Sequence, residues 1–92
     1  MRYASIISAE TGWEVILVDV DGNPHIHQVK KWGMPLVGSL VPLDDAYESF
    51  IEKENFIALI NPNEERPSQE VVANKCFEVA AVMRASLKIT RT

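Results

Sequence analysis

Between Trp13 and Val20, apolar residues fall on both sides of a two-residue alternation. Trp13, Val15 and Leu17 share one side, and Ile16, Val18 and Val20 share the other. Aromatic and β-branched residues in this pattern predict a strand. Two apolar faces predict a central strand with at least part of each face covered. A chain of 92 residues makes one domain, 1–92, with room for a single core. No constraint elsewhere is as strong.

The strand runs into Asp19-Val20-Asp21-Gly22-Asn23-Pro24 and leaves through His25-Ile26-His27. Glycine and asparagine take positive φ readily, so Gly22-Asn23 reads as a two-residue turn, with residues 25–32 returning as the hairpin partner. In that register Trp13 faces Trp32, Glu14 faces Lys31 and Val18 faces His27. Such an aromatic pair and ion pair each contribute a few tenths to about 1 kcal/mol. A three-residue loop over 21–23 would pair Trp13 with Lys31 instead, and is less favourable. His25 and His27 then share a face with Val18 and Val20, while Asp19 points away.

The apolar strand ending in Asp19-Val20-Asp21-Gly22 resembles the first motif of haloacid-dehalogenase-type phosphotransferases. The resemblance implies Asp19 as nucleophile, Asp21 as general acid/base and Mg²⁺ between them. It covers about seven residues. Beyond Gly22 the chain departs from that family: it returns as an antiparallel strand and is too short for a doubly wound core, so no membership is implied. A calcium loop starting at Asp19 needs Gly at its sixth position and Glu at its twelfth, where this chain has Pro24 and Lys30.

Two histidines at i and i+2 on a strand lie on one face, about 7 Å apart at Cα. They are the weak metal candidates, His25 and His27, able to hold Zn²⁺ if further ligands arrive from elsewhere. Cys76 lies on an apolar helical stripe, where a thiol has no reason to ionise. Gly12, Gly22, Gly33 and Gly38 are scattered, so no phosphate-binding loop forms.

Outside the hairpin, residues 3–8 read as a short strand before a turn at 10–12. Residues 32–43 carry no charge but hold Gly33, Pro35, Gly38 and Pro42, which predicts an irregular or edge segment. Met34, Leu36, Val37, Leu40 and Val41 make it a candidate interface strip for a partner. Asp44 or Asp45 caps a predicted short helix with Tyr47, Phe50 and Ile51 inward and Glu48, Glu52 and Lys53 outward. Residues 55–60 read as a short buried strand rather than more helix, and 61–67 as a polar loop. Ser68 caps a last helix to about Leu87, with Val72, Cys76, Val79, Ala80, Met83 and Leu87 as its stripe, widened by Val71 and Phe77.

The expected fold is therefore α+β: a small antiparallel sheet of three to four strands, a short helix, and a long C-terminal helix packed on one face. The net charge of −4 argues against nucleic acid as a partner. One cysteine fits a reducing, cytoplasmic setting, and no run approaches the roughly 20 apolar residues that span a bilayer. The apolar core of residues 3–9 is too short for a signal peptide. The eight acidic residues between Asp44 and Glu70, against Arg84, Lys88 and Arg91 near the end, form a solvated surface with cations at a helix C-terminus. The leading reading is a non-catalytic binding protein without a cofactor, self-associating as a homodimer or covering a protein partner. Its size suits an accessory or regulatory factor, including one from a mobile element or phage. A small metal-dependent enzyme using His25 and His27 is one alternative. A single-stranded nucleic-acid binder using Trp13, Trp32, Lys30 and Lys31 is another.

Overall fold

The computed structural model describes residues 3–91, with side chains over 3–87. Six strands and one helix succeed one another: β1 (Ser5–Ser8), β2 (Glu14–Val18), β3 (Pro24–Gln28), β4 (Lys31–Met34), β5 (Val41–Leu43), β6 (Phe56–Ile60) and α1 (Gln69–Arg91). They form two antiparallel three-stranded sheets, ordered β1-β4-β5 and β3-β2-β6. The class is α+β as expected, but two three-stranded sheets stand where a single small sheet of three to four strands was predicted.

β2 is the central strand that its composition predicts. Val15, Ile16, Leu17 and Val18 are all buried. On one face Ile16 and Val18 pack with Ile57, Ile60, Cys76, Ala80 and Met83; on the other Val15 and Leu17 pack with Val29 and Phe50. The helix covers the first face, and the chain turning into the second sheet covers the other. β6 adds a bulge: Ile16 pairs with Ala58 but Leu17 pairs with Phe56. The extra residue, Ile57, joins Ala58 on the helix side, so two consecutive side chains reach the same cluster.

The hairpin register differs from the expected one. Val18 pairs with Pro24, Leu17 with His25 and Val15 with His27. The turn is a three-residue loop, 20–22, closed by Asp19 N–H to Asn23 O at 3.0 Å and Gly22 N–H to Asp19 O at 3.0 Å. Gly22 occupies the left-handed position at φ 90°. Asp19 decides the outcome, because its Oδ1 accepts the amides of Asp21 and Asn23 at 3.0 and 2.9 Å. Val18 thus faces Pro24 rather than His27, a shift of 27 − 24 = 3 residues. An odd shift moves every side chain of the returning strand to the other face.

The expected partners of Trp13 and Glu14 change accordingly. Glu14 forms its ion pair with Arg66, not Lys31. Trp13 does meet Trp32, edge to face with ring centroids 5.0 Å apart, but across the junction between the sheets. The predicted strand over 25–32 breaks at Val29-Lys30, where Val29 N–H bonds Trp13 O and Ala9 N–H bonds Lys30 O. β4 then continues in the second sheet.

β4 is the centre of that sheet, which corrects the irregular or edge assignment for residues 32–34; 35–40 are irregular and β5 is an edge strand, as expected. Gly33 is admitted because the Tyr3 ring lies on it: a Cβ there would sit 2.7 Å from a ring carbon. Pro42 is on the edge strand β5, where a missing N–H costs nothing.

No helix forms at 44–53. Asp44 Oδ1 accepts the amides of Ala46 and Glu48 at 2.8 and 2.9 Å, and Asp44 N–H donates to Glu48 O. Tyr47 N–H bonds Asp44 O, Tyr47 takes φ 61°, and Leu43 bridges to Ser49. The carboxylate that suggested a helix cap instead closes a second five-residue turn with the hydrogen bonds of the first. Phe50 is buried as predicted, whereas Tyr47 and Ile51 are exposed.

α1 starts as expected, with Ser68 Oγ accepting Val71 N–H at 3.2 Å. It runs to Arg91, past the predicted end near Leu87. Cys76, Ala80 and Met83 are buried, and Val72 and Val79 pack against them. Val71 and Phe77 do not widen the stripe; they are 59% and 70% exposed. Leu87, expected on the stripe, does not join the core cluster and is half exposed. The side chains of Lys88 and Arg91, part of the expected basic end, lie outside the described residues.

Candidate functional site

Three places bring candidate residues together. The first is the β2–β3 tip. The register puts Asp19 on the face of His25 and His27, against the expectation that it points away. His25 Nε2 lies 2.9 Å from Asp19 Oδ2. The ionised carboxylate only accepts, so Nε2 carries the proton and the neutral tautomer leaves Nδ1 without one. This bond, with the Asn23 and Asp21 amides, lowers the Asp19 pKa to about 2. His27 stands on the same face with its ring 6.2 Å from that of Phe50. Among the described residues, no group of three or more histidines, cysteines or acids is placed to hold a metal ion within one chain.

The motif Asp19-Val20-Asp21-Gly22 does not sit where the phosphotransferase resemblance would require. It closes an antiparallel hairpin, and β3, not a helix, comes after it. Asp19 is occupied by its own turn and by His25, and Asp21 is exposed on the loop.

The second place is a cleft of about 920 Å³ between the β2–β3 face and the Asp44 turn. Leu17, Leu43 and Phe50 line it, with Lys31 and Tyr47 beside them. Lys31 Nζ lies 3.4 Å from Tyr47 Oη and 5.3 Å from the ring centroid. Lys53 pairs with Asp44 at 2.7 Å. Burial opposes ionisation of Asp44, but the Lys53 bond and the Glu48 and Ala46 amides outweigh it, and its carboxyl stays below the usual range. Lys30, Lys31 and Lys53 are balanced by Asp44, Asp45 and Glu54, so the walls select no single charge class of ligand. Sequence reasoning missed Tyr47 here, because position four of an Asp-led turn carries its signal only when it is glycine.

The third place is the loop between β4 and β5. Leu36 and Val37 are 89% and 90% exposed, and Met34 and Leu40 are exposed beside them. Val41 begins β5 and is half-buried. Four of the five residues of the strip identified in the sequence, all but Val41, thus face solvent. Trp13 and Trp32 are instead half-buried against the Val15 cluster, each ring packed on the other. Cys76 is buried, and burial, then the charge of Asp19, raises its thiol pKa.

No family model, curated protein or solved structure matches this chain. Among the described residues no helix is long and apolar enough to cross a membrane.

Proposed function

We propose that this chain is a non-catalytic interaction protein that self-associates through the β4–β5 loop. One observation carries the reading: Leu36 and Val37 are almost fully exposed in a stretch, 32–43, that contains no charged side chain. Scattered apolar side chains on a surface are ordinary, but these two stand beside exposed Met34 and Leu40 on one loop. Nothing in the loop requires leucine or valine there for the fold, since neither side chain enters either core cluster. A two-fold contact, in which each loop meets its own copy, is the commonest way to cover such a patch. An accessory or regulatory role is the one open to a chain acting by contact alone.

Sedimentation tests this. The wild type is expected to show a dimer at micromolar concentration, and Leu36→Glu a monomer, because the substitution buries an unpaired charge in the contact. Leu36 makes no core contact, so the variant is expected to keep the wild-type thermal midpoint. A dimer that persists in Leu36→Glu would remove the loop from the interface.

The enzyme alternative has less support: His25 finds one carboxylate, and among the described residues the two imidazoles of one chain have no further ligands grouped with them as a catalytic zinc requires. The nucleic-acid alternative needs free ring faces, and Trp13 and Trp32 are packed together.

A further inference from the structure

β3 is an edge strand, and all five of its residues are exposed. Its ladder with β2 fixes which backbone groups are free. Asp19 N–H bonds Asn23 O and Val29 N–H bonds Trp13 O, so the odd-numbered residues of the returning strand face β2. Pro24, Ile26 and Gln28 therefore direct their backbone groups to the open edge. Pro24 sits where no N–H is owed to β2. No charged side chain guards the edge between Pro24 and Gln28, and Ile26 is 56% exposed.

These free groups are self-complementary about Ile26. In an antiparallel pair of β3 strands with the two-fold axis at Ile26, each Ile26 N–H reaches the other copy's Ile26 O. Each Gln28 N–H reaches the other copy's Pro24 O. On the helix side, the paired Ile26 side chains border an apolar groove of about 450 Å³ lined by Ile16, Ile60 and Val72. On the opposite side, His25 falls across from His27 of the second copy. This is a non-hydrogen-bonded pair, with Cα atoms about 4.5 Å apart.

We propose that two copies joined along β3 build a zinc site from His25 and His27 of each. One chain supplies two imidazoles on one face, so the site is incomplete without the second copy. Four nitrogen ligands have the number and kind that a closed Zn²⁺ site requires. The Asp19–His25 bond at 2.9 Å is an independent sign of the same chemistry: a carboxylate fixes the tautomer and leaves Nδ1 as the ligand. The surface is separate from the 34–41 loop, so this inference goes beyond the self-association proposed above and stands or falls apart from it.

The experiment uses Leu36→Glu protein in chelator-treated buffer, titrated with zinc chloride and monitored by sedimentation and zinc analysis. The mass should double at one zinc per two chains, with magnesium chloride producing no change. His25→Ala and His27→Ala should each abolish the doubling at the same zinc concentration. Ile26→Pro should abolish it too, because it removes an outward N–H while leaving the β2 ladder intact; circular dichroism confirms that the variant is folded. Asp19→Asn should raise the zinc concentration required by about 10–100-fold. Zinc uptake without a change in mass, or doubling that survives both histidine substitutions, would overturn the site. If the wild type without zinc is already a monomer, the loop reading fails while the zinc step still decides this one.

Discussion

Asp19 and Asp44 do the same work in two places. Each opens a five-residue turn, accepts two amides on its Oδ1 and closes the hairpin with its own N–H. The turns differ at position four, where Gly22 lies at φ 90° and Tyr47 at φ 61°. Glycine holds that conformation without strain, whereas a side chain costs roughly 1–2 kcal/mol. Gly22→Val should therefore destabilise by about 1 kcal/mol or more, read as a lower denaturant midpoint. The converse holds at 47. Tyr47→Gly and Tyr47→Ala both lose the Lys31 contact, but only glycine relieves the backbone, so Tyr47→Gly should be the more stable by about 1 kcal/mol. Equal stabilities would place position 47 outside the left-handed region. Asp19 also sets an acid dependence. Folding favours its ionised form, so its contribution is full above the ordinary value of 3.8 and is lost as pH falls through that value toward about 2. Asp19→Asn should lower the thermal midpoint at neutral pH and lose its disadvantage in acid. A gap between the two proteins that stays constant with pH would rule out the linkage.

At the scale of elements, burial on a regular period made the sequence legible. β2 and α1 could be read because their apolar residues repeat at two and at about 3.6, and Ser68 marks the helix start. The strip 34–41 could be read as uncharged, and the structure leaves Met34, Leu36, Val37 and Leu40 exposed. The register was hidden: Gly22-Asn23 carries the composition of a two-residue turn, and only the Asp19 side chain reveals the longer one. That single shift also hid the Asp19–His25 pair. β4 was hidden because Gly33 looks like a breaker until the Tyr3 ring is placed on it. The false helix at 44–53 arose because an aspartate before a spaced apolar pattern serves a helix cap and an Asp-led turn alike. The helix assignment has its own check. Met83 is 8% exposed on the packed stripe and Glu78 is exposed on the far side. Met83→Ala should cost about 2–5 kcal/mol and Glu78→Ala under about 0.5, by denaturant unfolding. Similar losses at both would show the stripe to be misplaced.

The whole molecule buries its strands unequally. β2 is buried on both faces, while β3, the β4–β5 loop and the outer side of α1 leave apolar residues in solvent. Its principal extents, 41 × 33 × 21 Å, describe a flat body with much surface for its mass. Self-association through the loop would cover the most exposed of these residues first. Methyl-resolved NMR over a dilution series of the wild type, in metal-free buffer, tests that claim at the surface concerned. The Leu36, Val37, Leu40 and Met34 methyl signals should move together as dimer gives way to monomer, while Val71 and Val82 on the outer side of the helix stay fixed. Loop signals that hold still across the whole series, or shifts confined to Val71 and Val82, would contradict it.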